Sequence, residues 1–272
     1  MTGRSGERGR GVPELPEAES NRARIEAEAL NRTISEIVRG EVSHIDVPSP
    51  AEGERLVGHR FTEARRHGKY IFAGSKSGPW IAVHLGMSGS LRPYDEEDGA
   101  PDHARWTVAF EGARRLAFCC PRKLGWVRVI DDPDAFLTDK KVGPDILSMG
   151  ETAFADAIGG TRGAIKSALM NQKKVAGIGN LWSDEILFQT GTSREARGGD
   201  LPPDRIAGLY RTARTILSRL VREDAEYDRL PEDWLIHARS SGRGCPRCSG
   251  TIGMRKVGGR SAFFCDAHQV RI

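Results

Sequence analysis

Short apolar runs separated by turn residues dominate the first half of the chain. Glycine and proline lie between the runs, as at 77–79 and 111–112. Short β-type segments bounded by such residues are typical of antiparallel sheets. The pattern predicts an antiparallel β-sandwich or barrel. The predicted strands are 70–73, 80–85, 105–110 and 114–118.

Helical patterns flank these strands. A run rich in alanine, glutamate and arginine at 17–30 predicts a leading helix packed against the sheet. From residue 132 the character of the chain becomes helical, with helices predicted at 164–170, 181–189 and 204–223. A hairpin rich in glycine and cysteine closes the chain. We therefore predict an α+β fold.

The predicted organisation has three folded parts and a leader. The β-sandwich domain with its leading helix covers 13–131, a helical domain covers 132–243, and the hairpin covers 244–272. Residues 1–12 are rich in glycine and arginine and poor in apolar side chains. They are interpreted either as a disordered leader or as a start assigned too early, with translation beginning at Val12.

Charge and composition narrow the class of protein. The chain has 272 residues, with 41 basic against 37 acidic side chains and a net charge of +4. This balance permits a polyanionic partner but only weakly indicates one. No apolar run approaches the roughly 20 residues of a membrane span, and no signal peptide is apparent. We expect a cytoplasmic protein associated with the nucleoid and not with membranes.

Cysteine spacing near the C-terminus indicates a metal site. Cys245 and Cys248 form one Cys-x-x-Cys pair, and Cys265 and His268 form a Cys-x-x-His pair sixteen residues later. This spacing is typical of a closed, four-ligand zinc site, which has no position for a reacting water. The sequence predicts one structural zinc in a ribbon-like hairpin.

Three motifs together resemble a known enzyme family. Residues 13–17 read PELPE, 84–89 read HLGMSG and 176–180 read AGIGN. With the Cys/His cluster, they resemble the formamidopyrimidine-DNA glycosylase and endonuclease VIII family of base-excision repair enzymes. The match spans most of the chain from Pro13 onward. The resemblance implies a helix-two-turn-helix domain at 132–243 and double-stranded DNA with a damaged or abasic nucleotide as the partner of a monomer.

The resemblance also implies the catalytic residues. Pro13 would attack C1′ of the damaged nucleotide with its amine and form a Schiff base. Glu14 would protonate the deoxyribose ring oxygen. Glu17 lies one helical turn later, and from this position we expect it to orient groups in the same pocket. The alternative for both is a pair of helix N-terminal carboxylates stabilised by the helix dipole. Lys69 would assist proton transfers, and Arg260 would hold a DNA phosphate and assist the second elimination. An amine can act in this way only when Pro13 is N-terminal, because a proline inside the chain has an amide nitrogen.

Further residues would contact DNA. Met87, Arg122 and Leu124 match the three side chains that fill the gap left by an extruded nucleotide. The family usually has an aromatic side chain where Leu124 stands. Asn180 would contact phosphates beside the lesion, with the N-terminus of the helix that follows it, and Lys166 would add positive charge.

The function predicted from these matches is a bifunctional DNA glycosylase and abasic-site lyase that excises oxidised bases, with oxidised purines favoured. Leu15 favours the formamidopyrimidine branch, whereas the short text at 220–244 lacks the family's lid loop. One alternative is a catalytically silent binder of damaged or abasic DNA whose nucleophile is blocked by the leader. A zinc-ribbon nucleic-acid adaptor without base flipping conflicts with the match at Met87 and Arg122.

Overall fold

A computed structural model describes residues 12–270 and divides the chain into two compact units. Unit 1 contains 21–66 and 70–133, with Pro13. Unit 2 contains 14–20, 67–69 and the chain from Asp134 onward. The predicted leader or early start lies outside the described residues, apart from Val12. The beginning of the leading helix and the turn at 67–69 thus belong with the helical part of the chain.

Unit 1 is built on two four-stranded sheets, counted within the described residues. Its helices are α1 (Leu15–Glu28), whose first turns belong to unit 2, and α2 (Pro50–Glu54). Its strands are β1 (Ile34–Arg39), β2 (Glu63–His67), β3 (Tyr70–Gly74), β4 (Trp80–His84), β5 (Ser90–Asp95), β6 (Ala104–Phe110), β7 (Arg114–Cys119) and β8 (Trp126–Ile130).

Strand order explains which strands the sequence predicted. One sheet has the order β1-β6-β7-β5 and the other β2-β3-β4-β8. The four predicted strands, β3, β4, β6 and β7, are the central ones, and most of their residues are buried. The four unpredicted strands are edges, such as β1 with one fully buried residue. An edge strand can alternate or stay polar, which weakens its sequence signal.

The leading helix packs on one of these edges, as predicted. Asn21 accepts a hydrogen bond from the backbone N–H of Leu91 in β5 at 2.6 Å, and Arg24 donates to the carbonyl of Leu91 at 3.3 Å. These bonds satisfy backbone groups that an edge strand otherwise leaves open.

Unit 2 is a helical body with a terminal hairpin. Its elements are α3 (Pro133–Asp139), α4 (Glu151–Gly159), α5 (Ile165–Leu169), α6 (Asn180–Gln189), α7 (Pro203–Arg222), β9 (Gly253–Val257) and β10 (Arg260–Phe264). Helix α7 buries an apolar face from Ile206 to Leu220 at helical spacing. Leu15, the first residue of α1, is fully buried in the same core as Trp182. The predicted α+β fold is confirmed.

A second, smaller core supports the hairpin. Phe188 from α6, Leu235, Ile252 and Cys265 form this cluster. Within 12–270, no helix combines the length and apolar character required to cross a membrane.

Candidate active site

The chain immediately after Pro13 is buried and tightly bonded. Glu14 is only 2% exposed, and its backbone N–H donates to Glu17 Oε2 at 2.8 Å. Glu14 Oε1 accepts the backbone N–H of Leu181 at 2.8 Å. Its other oxygen, Oε2, is buried and has no hydrogen-bond partner among the described residues. One carboxylate oxygen is therefore anchored, and the other is open for a proton transfer.

Lys69 is positioned by a tight turn between β2 and β3. Gly68 has a φ of 56°, a left-handed conformation that favours glycine. Its N–H donates to Asp145 Oδ2 at 2.7 Å, and a Cβ on Gly68 would lie 2.8 Å from Ala176 Cβ. The turn is thereby held against the residues that precede the GIGN motif.

Glu14 and Lys69 converge on Gly179. A Cβ added at Gly179 would lie 2.2 Å from Glu14 Cδ and 2.4 Å from Lys69 Nζ. Atoms cannot approach this closely, so a side chain at position 179 would displace the Glu14 carboxylate and the Lys69 ammonium group from these positions. The structure thus brings together the PELPE motif, the lysine turn and the GIGN motif, which lie far apart in the sequence.

The charges at this site shift one another's ionisation. Burial lowers the pKa of Lys69, and the nearby Glu14 and Glu17 oppose that shift, while Arg260 adds to it. Burial raises the pKa of Glu17, against hydrogen bonds that favour its charged form. A lysine with a lowered pKa exchanges protons more readily near neutral pH, which suits a role in proton transfer.

Arg260 reaches this site from the terminal hairpin. Gly258 and Gly259 form the two-residue turn between β9 and β10, with φ angles of 55° and 77°. A Cβ on Gly258 would lie 2.6 Å from Ser167 Oγ, so the turn lies against α5. Arg260 is exposed and close enough to lower the pKa of Lys69. A guanidinium presents N–H donors in a planar fork that matches the oxygens of a phosphate.

Asn180 begins α6 directly after Gly179. Its Oδ1 is buried and lacks a hydrogen-bond partner within the described part of the chain. The next backbone N–H, that of Leu181, is already bonded to Glu14. The helix N-terminus therefore serves the Glu14 carboxylate in addition to any phosphate.

Lys166 requires a correction. Its side chain has no exposed surface and is ion-paired with Asp184, and its Nζ donates to Ser183 Oγ and to the Asn180 carbonyl, both at 3.2 Å. A cation enclosed in this way does not contact DNA phosphates, because burial excludes them. Lys166 instead holds the beginning of α6.

Two neighbouring loops of unit 1 bring the predicted gap-filling residues together. Met87 lies between β4 and β5, and Arg122 and Leu124 lie between β7 and β8. The loops touch, because Arg122 N–H donates to Ser88 Oγ at 3.0 Å and a Cβ on Gly86 would lie 2.2 Å from the Leu124 carbonyl oxygen. Met87 is half-buried, whereas Arg122 and Leu124 are exposed, Leu124 by 54%.

The terminal hairpin collects three of the four predicted metal ligands. The sulfur atoms of Cys245, Cys248 and Cys265 all lie within 4.8 Å of one another. This cluster of thiols is compatible with a metal site. His268 is not among the ligand atoms grouped within 4.8 Å; its Nε2 lies 2.9 Å from the carbonyl oxygen of Phe188, and its ring packs on the Phe188 ring.

Family models match both units. The formamidopyrimidine-DNA glycosylase N-terminal domain matches residues 12–127, and the H2TH domain of the same enzymes matches 142–230. The formamidopyrimidine-DNA glycosylase of Chloroflexus aggregans is 30% identical over 275 residues, which cover 96% of this chain and 100% of that protein. The chain belongs to the formamidopyrimidine-DNA glycosylase family. The family predicted from the three motifs is confirmed.

Other members of the family agree in length and fold. The formamidopyrimidine-DNA glycosylase of Aliivibrio fischeri is 30% identical, with 95% of this chain and 98% of that protein covered. A Lactococcus lactis FPG variant in complex with a Fapy-dG containing DNA has a TM-score of 0.82 and 25% identity, covering 95% of this chain and 100% of that one. A complex of the LlFpg protein with a THF-DNA and an inhibitor gives a TM-score of 0.84 at 25% identity.

Sequence reasoning missed two residues that organise the site. Asp145 holds the Lys69 turn, and its other oxygen accepts the N–H of Leu147 at 2.8 Å. The Gly-Pro-Asp sequence at 143–145 predicts a turn. It does not predict that the carboxylate of Asp145 binds the N–H of residue 68. Tyr227 bonds to Glu17. No local pattern connects two residues so far apart in the chain.

Proposed function

We propose that this family member is a bifunctional DNA glycosylase and abasic-site lyase that excises oxidised bases from double-stranded DNA as a monomer. The protein is a DNA glycosylase of base-excision repair. The observation that carries the proposed catalytic roles is the convergence of Glu14 and Lys69 on Gly179, since Glu14 directly follows Pro13 in the chain. A silent DNA-binding role is not favoured, since the relatives are named as glycosylases.

Each residue has a distinct part in the proposed reaction. The Pro13 amine attacks C1′, the bond from C1′ to the base breaks, and the base leaves with the electron pair and takes up the proton that the amine loses. Glu14, whose Oε2 is open, protonates the ring oxygen as the sugar opens to an iminium. Lys69 moves protons at the opened sugar during elimination, while Arg260 and Asn180 hold adjacent phosphates. Arg122, Met87 and Leu124 occupy the gap in the duplex.

We propose that a structural zinc binds the three cysteines and His268. Zinc neutralises and fixes thiolates, which would secure the hairpin that presents Arg260. The His268 Nε2 faces the Phe188 carbonyl, so Nδ1 is the nitrogen we assign to the metal. A ligating imidazole commonly donates its other N–H to a backbone carbonyl, and this contact supplies such a partner.

The experiment that tests the catalytic proposal compares two N-termini. A chain that begins at Pro13, after removal of a single methionine in place of Val12, is expected to cut abasic DNA and to be trapped on it by borohydride. The chain that keeps residues 1–12 intact is expected to bind the same DNA without being trapped, because an amide nitrogen has no available lone pair. Equal trapping of both would assign the nucleophile to a lysine, and binding of both with trapping of neither would favour the silent role.

The proposed preference for oxidised purines has its own measurement. Excision rates on matched duplexes that differ only in an oxidised purine or an oxidised pyrimidine are compared with the Pro13-initiated chain. Leu15 of the PELPE motif supports the purine preference. Faster excision of the pyrimidine lesions would reverse it.

A further inference from the structure

Helix α7 ends in an unusual turn that redirects the chain toward α1. Asp224 and Ala225 are consecutive residues with positive φ, 49° and 56°. Side chains rarely adopt this conformation, and two in succession indicate a position over-determined by its surroundings. The Ala225 N–H donates to the Leu220 carbonyl at 2.8 Å, and the Glu226 N–H to the Glu223 carbonyl at 2.9 Å, which closes the helix. The next residue is Tyr227.

Tyr227 is fixed on both sides of its ring. The ring packs edge-on against fully buried Trp182, with centroids 5.4 Å apart and an interplanar angle of 81°. Such edge-to-face pairs define the orientation of the ring. The Tyr227 hydroxyl donates to Glu17 Oε1. Tyr227 lies in 220–244, the stretch that lacks the family's lid-loop sequence. This stretch therefore reaches the N-terminal end of α1, where Glu17 lies.

The hydrogen bonds on Glu17 match a charged carboxylate. Oε1 accepts from Tyr227 and Oε2 accepts the Glu14 N–H at 2.8 Å. An ionised carboxylate can only accept hydrogen bonds, and both oxygens of Glu17 act as acceptors here. Among the described residues, the titratable groups that face Glu17 include Glu14, Lys69 and Tyr227. Burial and Glu14 oppose the charge on Glu17, whereas the Tyr227 hydroxyl and the cationic form of Lys69 favour it.

We infer that Tyr227 is a positioning residue for the glycosylase reaction, which holds Glu17 ionised and so fixes the peptide that joins Glu14 to the nucleophile. The inference rests on the proposed function. The amide N–H that Glu17 accepts is bonded directly to the Pro13 carbonyl carbon. Tyr227 thus acts on the orientation of Pro13 through Glu17 and touches neither sugar nor base.

The first test uses the full chain without DNA. Tyr227→Phe removes only the hydroxyl, and the titration of Glu17 is followed by carbon-13 NMR of its side-chain carboxyl. The pKa of Glu17 is expected to rise above that of the unmodified chain, because the variant loses a hydrogen bond to the charged form. Tyr210→Phe is the matched control, since it removes a buried hydroxyl that donates to the Met149 carbonyl at 2.8 Å, away from the carboxylates. An unchanged Glu17 titration in Tyr227→Phe overturns the inference.

The second test measures the reaction itself. In the chain that begins at Pro13, Tyr227→Phe is expected to move the acid limb of the borohydride-trapping rate to higher pH by about one unit. Glu17 then becomes protonated earlier as the pH falls, so at a pH on the acid limb trapping slows about tenfold. Affinity for duplex with an uncleavable abasic analogue and the Tyr210→Phe profile are expected to stay unchanged.

The outcomes separate the two proposals. If the unmodified Pro13-initiated chain is not trapped, the proposed function fails, and the Glu17 titration alone decides whether Tyr227 governs that carboxyl. If the unmodified chain is trapped and Tyr227→Phe has the same pH profile, Tyr227 is only a packing residue. A Tyr227→Phe loss that is uniform across pH and equal to that of Tyr210→Phe would likewise overturn the positioning role.

Discussion

At the residue scale, the absence of one side chain organises the candidate site. Gly179 lets Glu14 and Lys69 approach the same point, and its own φ of −122° requires no glycine. The requirement therefore comes from space and not from backbone conformation. This distinction makes Gly179 a sensitive probe of the geometry.

Gly179→Ala is expected to slow borohydride trapping by the Pro13-initiated chain on the order of 100-fold, because displacements of about 1 Å at reacting groups have effects of that size. Gly163→Ala is the control, since a Cβ there meets nothing within 4 Å. Trapping rates are compared for both variants at equal folded fractions. An active Gly179→Ala enzyme would show that Glu14 and Lys69 do not act from their observed positions.

Lys166 shows how burial changes the meaning of a charge. Its partner Asp184 also accepts from Arg239 at 2.8 Å and from the Phe263 N–H at 3.2 Å, which connects α5, α6 and the terminal hairpin. We expect Lys166→Met to destabilise the protein by about 3 kcal/mol, since one partner of a buried pair is lost. Denaturant unfolding measures this, with exposed Lys173→Met as the control. Equal stability of the two variants would contradict the structural role of Lys166.

At the element scale, burial decided what the sequence could predict. The central strands β3, β4, β6 and β7 have apolar runs because both of their faces are covered, and these were predicted. The edge strands β1 and β5 have mostly exposed or half-buried residues, so their sequences resemble those of loops. Tertiary pairing, and not local pattern, makes them strands.

The two touching loops of unit 1 predict a shared role in opening the duplex. Leu124→Ala is expected to slow excision of an oxidised base from duplex DNA about tenfold, since truncation loses part of the about 1.5–3 kcal/mol that burial of a leucine side chain supplies. Cleavage at an abasic site in single-stranded DNA needs no base extrusion and is expected to be unaffected. Val38→Ala, at an exposed apolar residue on β1, is the control. Equal losses on both substrates would contradict the wedge role.

The terminal hairpin predicts a metal stoichiometry. Purified protein is expected to contain one zinc per chain, and Cys248→Ser to lose it together with DNA affinity, because the hairpin presents Arg260. Cys119→Ala, at a buried cysteine of β7 outside the cluster, is expected to keep its zinc. His268→Ala tests the fourth ligand by its zinc affinity. Unchanged affinity in that variant would exclude the imidazole, and full zinc in Cys248→Ser would exclude the site.

At the scale of the whole molecule, motifs identified residues of the site but not the long-range contacts that organise it. Pro13, Glu14, Lys69 and Asn180 follow from resemblance to the family, because each lies in a short recognisable stretch. The contact between Tyr227 and Glu17 joins residues 210 positions apart, and the buried ion pair between Lys166 and Asp184 joins α5 to α6. Neither contact can be predicted from a local sequence pattern, since both form only when distant segments fold together.

The positions of individual charged side chains are expected to determine DNA affinity more than the net charge does. The chain has a net charge of only +4, so DNA affinity is expected to come from a few placed groups. Arg260→Ala and Arg211→Ala remove the same charge from different places, one beside Lys69 and the other on α7, where Arg211 is 63% exposed and lies 3.6 Å from Glu151. The two variants therefore separate local contact from overall charge.

Affinity for duplex containing an abasic analogue is measured across a salt series. The slope of log affinity against log salt is expected to become shallower by about 0.9 in Arg260→Ala, because one phosphate contact no longer releases a counterion. Asn180→Ala is expected to weaken binding at every salt concentration with the slope unchanged, since an amide contact displaces no counterion. Arg211→Ala is expected to match the unmodified protein in both. If Arg211→Ala changed the slope as much as Arg260→Ala, DNA would be held by general attraction, and the phosphate contact assigned to Arg260 would be wrong.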